Sequence, residues 1–83
     1  MITPQEVMAL ISSTLRIADL KADAEMGKVR GWDSIRQVRL VLSLEEATGI
    51  EVPPDMFGEI TSVDAILDFL RDENALDGEQ HDR

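Results

Sequence analysis

Apolar spacing and helix-start residues predict a first helix over about residues 4–15. Thr3-Pro4-Gln5-Glu6 combines a capping threonine, a proline suited to the first helical position and a glutamate that completes a capping box. Apolar residues then recur at the spacing that places them on one helical face. These residues are Val7, Met8, Leu10, Ile11 and Leu15.

Residues 16–33 lack a sustained apolar period and predict a long connection. Gly27 and Gly31 interrupt regular structure in this stretch. Long connections in compact domains are usually functional or packed onto the core by their own apolar residues. The residues expected to make such contacts are Leu20, Met26 and Val29.

A second helix is predicted from Ser34 to about Thr48. Asp33 is a favourable N-cap residue, and Gly49 is typical of the position after a helix end. Apolar residues cover most of the circumference, so we expect the helix to be central and packed on several sides. The remaining polar stripe consists of Arg36, Arg39, Ser43 and Glu46.

The chain after the second helix is predicted to form a link, a short turn and a last helix. Pro53-Pro54 favours an extended or turning backbone, followed by one short helical turn within residues 55–59. We expect Thr61 to cap the last helix, with Asp64 in the capping-box position. Apolar residues at helical spacing then continue until the helix fades near Glu73.

The predicted fold is all-α: a four-helix arrangement with three main helices, one short helix and a long first loop. A chain of 83 residues is long enough for one domain. We expect residues 1–73 to form that domain and residues 74–83 to form a flexible C-terminal tail.

The net charge of −9 disfavours binding to nucleic acid and to anionic membranes. The charge is uneven: residues 1–44 contain five acidic and six basic side chains, and residues 45–83 contain twelve and two. This acidic half is either a solvated surface or a surface for basic partners. The sequence also contains no long apolar run and no pattern of a signal peptide, so we expect a cytoplasmic protein without membrane insertion.

Enzyme sites are disfavoured because the usual catalytic residues are missing or isolated. The chain has no cysteine, and its one histidine, His81, lies in the expected tail. A catalytic triad therefore has no base, and a metal site would lack its usual nitrogen and sulfur ligands. We expect a protein that is not an enzyme and that binds no metal.

Ser34 is the residue with the clearest chemical potential. It is predicted to open the second helix, where unpaired backbone N–H groups and the positive end of the helix dipole favour a phosphate. The position therefore suits a serine that is modified as a phosphodiester. An alternative is purely structural, because Asp33-Ser34 also suits a simple helix start.

A longer pattern around this serine resembles the acyl carrier protein family. The Asp-Ser-Leu motif of that family corresponds to Asp33-Ser34-Ile35, and the resemblance extends without an obvious gap over about residues 31–73. The other matching stretches are Gly31-Trp32, Val38, Leu42, Leu44-Glu45-Glu46, Ile50-Glu51-Val52-Pro53, Ile60-Thr61-Ser62-Val63 and Ile66.

The resemblance implies that Ser34 receives 4′-phosphopantetheine from coenzyme A. A separate Mg²⁺-dependent phosphopantetheinyl transferase would attach it, and the thiol of the arm would then carry an acyl or aminoacyl group. Asp33 would cap the helix and help the transferase to recognise the site, and Ile35 would pack or dock beside the serine. Further partners would be an acyl- or aminoacyl-activating ligase and acyl-transferring enzymes. We expect the carrier to be a monomer, since it must bind several enzymes in turn.

The same resemblance implies a docking face on the second and short helices. Its candidate residues are Arg36, Arg39, Glu45, Glu46, Met56 and Phe57. Fatty-acid carriers usually have acidic residues where Arg36 and Arg39 occur, and Trp32 resembles free-standing carriers of specialised pathways. We therefore expect a specialised pathway, with Trp32 either anchoring the loop or touching a partner or the arm.

Two alternatives belong to other classes. A protein of the same fold could act as an unmodified binding module through helix-surface docking alone. An unrelated small helical regulator could match the pattern by coincidence.

Overall fold

The computed structural model describes residues 2–77, and it contains three α-helices and one short helix. The helices are α1 (Pro4–Leu15), α2 (Ser34–Thr48) and α3 (Val63–Asp72), and a 3-10 helix, Pro54–Met56, lies between α2 and α3. The predicted all-α fold with a long first loop is confirmed. No helix among the described residues is long and apolar enough to cross a membrane.

The bounds of α1 follow from local signals. The Thr3 hydroxyl accepts a hydrogen bond from the Glu6 amide at 3.1 Å, and the Glu6 carboxylate accepts one from the Thr3 amide at 2.9 Å. This reciprocal pair is the predicted capping box. The helix ends at Leu15, and the left-handed conformation of the C-cap residue Arg16 (φ 59°) turns the chain away from the helical axis.

The core lies where α1 packs against both α2 and α3. Each helix contributes apolar side chains from one face, and burying each large one contributes roughly 1.5–3 kcal/mol. The most deeply buried residues of the three helices are Val7, Ile11, Leu15, Leu40, Val41, Leu44, Val63, Ile66 and Leu70.

The predicted packing of α2 on several sides is wrong. Ile35, Val38 and Leu42 are 78%, 46% and 55% exposed, although they are as apolar as the residues on the buried face. The reason is that, among the described helices, only α1 packs against α2, and it covers one side; α1 and not α2 is therefore the central helix. Helix α2 is buried on one side and apolar on part of the other.

The long loop between α1 and α2 is bonded to the start of α3. The Met26 amide donates to the Thr61 carbonyl at 2.7 Å, and the Val63 amide donates to the Ala24 carbonyl at 3.1 Å. The expected loop contacts are confirmed, because three partly buried side chains pack against the core. These side chains are Leu20, Met26 and Val29.

Two predicted helix starts are displaced by one residue. Ser62, and not Thr61, caps α3: its hydroxyl accepts a hydrogen bond from the Ala65 amide at 3.0 Å. Thr61 has its carbonyl bonded to the loop instead. The short helix begins at Pro54 rather than within residues 55–59, because proline suits the first position of a helix.

The boundary predicted at residue 73 is too early. The Ile2 amide donates to the Ala75 carbonyl at 3.0 Å, and the Asp77 amide donates to the Ile2 carbonyl at 2.7 Å. Ala75 and Leu76 are buried, so residues 74–77 belong to the packed domain. Residues 78–83, the rest of the predicted tail with His81, lie outside the described residues.

Candidate functional site

Ser34 is the first residue of α2, and its side chain is exposed. The turn before it depends on Gly31, whose φ of 96° is rarely adopted by other residues. A Cβ atom at this glycine would lie 3.5 Å from the Leu15 carbonyl oxygen, so the turn also passes close to the end of α1. The loop thereby presents Ser34 at the surface, at the end of the domain where α1 finishes.

Asp33 caps α2 as predicted, and it does so together with Arg36. One carboxylate oxygen accepts from the Arg36 amide at 2.9 Å, and the other accepts from the Arg36 guanidinium at 2.7 Å. The hydrogen bond from the Arg36 amide, followed by the charge of its guanidinium, lowers the pKa of Asp33 below its ordinary value. The carboxylate beside Ser34 is thus ionised and balanced by a cation.

Trp32 is the buried anchor of the loop, which is one of its two predicted roles. Its side chain is 1% exposed, and its indole Nε1–H donates to the Gln37 amide oxygen at 2.8 Å. This hydrogen bond satisfies the only polar group of the buried indole. The position is too buried for direct contact with a partner in this conformation.

Gln37 is a residue whose role the sequence did not predict. Its side chain is 3% exposed, and its amide nitrogen donates to the carbonyls of Phe57 at 3.0 Å and Ile60 at 2.8 Å. Indole is only a donor and the carbonyls are only acceptors, so a single orientation of the Gln37 amide satisfies all three bonds. Gln37, which lies three residues after Ser34 on α2, therefore connects the loop, α2 and the segment after the short helix.

An exposed apolar stripe begins beside Ser34. Ile35, Val38 and Leu42 follow i, i+3, i+7 spacing, which aligns them along one side of α2. Ile35 is 78% exposed, so its side chain is not packed in the core of the domain. Apolar side chains aligned on an uncovered helix face are typical of a surface that contacts other proteins.

The candidate docking residues do not form one equivalent set. Arg39 and Glu46 are exposed on α2. Glu45 is half-buried instead, and its carboxylate accepts a hydrogen bond from the Val52 amide at 2.7 Å. Met56 and Phe57 are partly buried and pack against the core. Glu45 thus has a structural bond within the domain that the sequence did not reveal.

The chemistry around Ser34 suits attachment rather than catalysis. Residues 2–77 contain no histidine, and both carboxylate oxygens of the adjacent Asp33 accept hydrogen bonds from Arg36. No group of acidic or histidine side chains in this part of the chain is arranged to bind a metal ion. An exposed hydroxyl at a helix start, next to a balanced carboxylate, fits a covalent phosphodiester.

Comparison with known proteins agrees with this geometry. Residues 5–70 match the family model described as the phosphopantetheine attachment site. The chain is 31% identical over 70 residues to the acyl carrier protein of Helicobacter acinonychis (strain Sheeba), which covers 82% of this chain and 90% of the relative. It is 30% identical, with the same coverage, to the acyl carrier protein of Helicobacter pylori (strain G27).

The chain therefore belongs to the acyl carrier protein family. Members of this family are carriers and not catalysts, so the prediction that the protein is not an enzyme is confirmed. The family also establishes a covalently attached 4′-phosphopantetheine as the cofactor. Its general role is to carry acyl groups and to interact with partner enzymes.

Proposed function

We propose that Ser34 is the attachment residue, and that the protein carries acyl or aminoacyl groups on this arm in a specialised biosynthetic pathway. The observation that supports the attachment residue is the exposed Ser34 hydroxyl at the start of α2, within Asp33-Ser34-Ile35. The serine also lies inside the residues that match the family model.

The proposed modification assigns a distinct task to each neighbouring residue. The Ser34 oxygen forms a phosphodiester bond to the phosphopantetheine half of coenzyme A, and the nucleotide half leaves. The hydroxyl proton passes to a base that the transferase supplies, because the carrier has none nearby. Asp33 fixes the helix start, and its ion pair with Arg36 at 2.7 Å reduces repulsion of the incoming phosphate.

The proposed partners are a phosphopantetheinyl transferase, an acyl- or aminoacyl-activating ligase and acyl-transferring enzymes. Arg36 and Arg39 on α2 support a specialised set, because a partner selected for an acidic helix meets like charge here. We further propose that the carrier is a cytoplasmic monomer. A monomer leaves the same face open to each enzyme in turn.

The proposed docking face combines the exposed apolar stripe with the charged residues beside it. Ile35 contributes the most exposed apolar side chain, immediately after the modified serine. The other proposed members are Val38, Leu42, Arg36, Arg39, Glu46, Met56 and Phe57. Glu45 would contribute through the backbone that it positions at Val52 rather than by direct contact.

Intact-mass measurement tests the attachment residue. The protein is incubated with coenzyme A, Mg²⁺ and a broad-specificity phosphopantetheinyl transferase. We expect one added phosphopantetheine in the wild type and in Ser43→Ala, and none in Ser34→Ala. Ser43 is a suitable control because it is also on α2 but lies outside the motif.

Far-UV circular dichroism should show that both variants are folded. Loading of Ser34→Ala would refute the assignment of this serine. A folded wild-type protein that gains no mass would instead favour the unmodified binding module.

A further inference from the structure

Four arginines surround one groove at the end of the domain where α1 finishes and α2 begins. The groove has a volume of about 490 Å³ and passes Ile17 and Gly31. The residues that line it include no acidic side chain. Its four cations are Arg16, Arg30, Arg36 and Arg39.

Three of these arginines differ from the other cations of the domain. Within residues 2–77, the basic side chains outside the groove form ion pairs: Lys21 with Asp19, Lys28 with Glu25 and Arg71 with Asp68. In the same part of the chain, the basic side chains without an ion pair are Arg16, Arg30 and Arg39. The uncompensated positive charge of the domain is thus concentrated at one place.

The net charge of the groove remains positive when the neighbouring negative charges are counted. Asp33 balances Arg36, and the carbonyl end of α1 contributes roughly half a negative charge. Three guanidinium groups outweigh that half charge. The groove therefore contrasts with the rest of a chain that has 17 acidic and 8 basic side chains.

We propose that this groove binds an acidic segment of a partner protein, an inference that rests on the proposed carrier function. Guanidinium groups bind carboxylates through paired hydrogen bonds, and several exposed arginines suit several carboxylates along a chain. Nucleic acid fits less well, because the overall charge of −9 repels an extended polyanion. A protein segment needs only this local patch.

The position of the groove would orient a bound partner relative to Ser34. Arg36 lies two residues after Ser34, so a segment bound in the groove lies next to the arm. Elsewhere, the acidic surface repels the same segment. Attraction at one patch and repulsion around it would fix how a partner approaches the modified serine.

Nuclear magnetic resonance titration of the ¹⁵N-labelled, unmodified protein with a hexaglutamate peptide tests this proposal. We expect amide shifts confined to residues 14–17, 30–31 and 36–39, which weaken as salt is added. Arg30→Gln/Arg39→Gln should weaken binding roughly fivefold to tenfold. The control Lys21→Gln/Lys28→Gln changes the net charge equally and should weaken binding less than about twofold.

Several results would overturn the proposal. Absent shifts, shifts elsewhere, or equal losses in the two double variants would exclude a specific acidic site. Tighter binding of ADP than of hexaglutamate at the groove would identify a phosphate site instead. Loss of peptide binding after Ser34 is loaded would show that the groove binds the phosphate of the arm. A dimer in size-exclusion chromatography that Arg30→Gln/Arg39→Gln abolishes would show that the groove binds a second copy of the protein.

The two proposals can fail separately. The titration uses unmodified protein and therefore does not depend on loading of Ser34. Specific peptide binding without any added phosphopantetheine would contradict the assignment of Ser34 alone. Normal loading without peptide binding would contradict only the acidic partner.

Discussion

Both faces of α2 carry large apolar side chains, but in different surroundings. On one face, Leu40 and Leu44 are 0% and 2% exposed and pack in the core. On the other, Ile35 and Leu42 are 78% and 55% exposed. The buried face stabilises the domain, whereas the exposed face, which Ser34 begins, is the one we propose for docking.

The largest expected effect compares two leucines of α2. Leu44→Ala should lower the free energy of unfolding by about 2–5 kcal/mol, because it leaves a cavity in the core. Leu42→Ala should lower it by less than about 1 kcal/mol, because the side chain is already largely in water. Urea denaturation measures both values. Equal losses would mean that another layer covers the exposed face.

A smaller effect is expected at Gln37, the polar residue of the buried face. Gln37→Ala leaves the Trp32 indole and two carbonyls without their partner, and should lower the free energy of unfolding by about 1–3 kcal/mol. The same substitution at the exposed Gln5 should change it by less than about 0.5 kcal/mol. Urea denaturation followed by fluorescence of the single tryptophan compares the two. Matching stabilities would exclude a structural role for the hydrogen-bond network.

The smallest effect concerns the charge at the start of α2 and depends on pH. Asparagine caps as well as aspartate, so Asp33→Asn isolates the charge. Folding lowers the pKa of Asp33, so its ionised form stabilises the folded protein at pH values above the ordinary pKa of 3.8. That stability is lost as the pH falls through the lower pKa of the folded protein.

Urea midpoints of the wild type and Asp33→Asn, measured from about pH 7 downward, check this sign. The wild type should be more stable at neutral pH, and the difference should vanish in acid. Other carboxylates titrate in both proteins and therefore cancel in the difference. A difference that grows on acidification would contradict the lowered pKa.

The sequence predicted those parts of the fold that depend on neighbouring residues. The start of α1 follows from Thr3, Pro4 and Glu6, and the bounds of α2 follow from Asp33 and Gly49. These signals act within one helical turn. The family pattern around Asp33-Ser34-Ile35 also lies in a contiguous stretch.

The sequence did not predict features that depend on distant residues. Gln37 bonds to carbonyls 20 and 23 positions further along the chain, and a polar residue on an apolar face gave no indication of those partners. Ala75 is buried, and its carbonyl accepts a hydrogen bond from the amide of Ile2 at the other end of the chain. The choice between Thr61 and Ser62 as a cap depended on the loop bond to the Thr61 carbonyl.

The pairing of Ile2 with residues 75–77 lies at the end of the domain opposite Ser34. It lies at the beginning of α1, whereas Ser34 lies near its end, and a helix of 12 residues is about 18 Å long. A fluorophore, a surface linker or a fused protein joined near either paired segment would therefore lie at the opposite end of the domain from Ser34. If Ser34 carries the arm as proposed, such an attachment would not obstruct the movement of the arm.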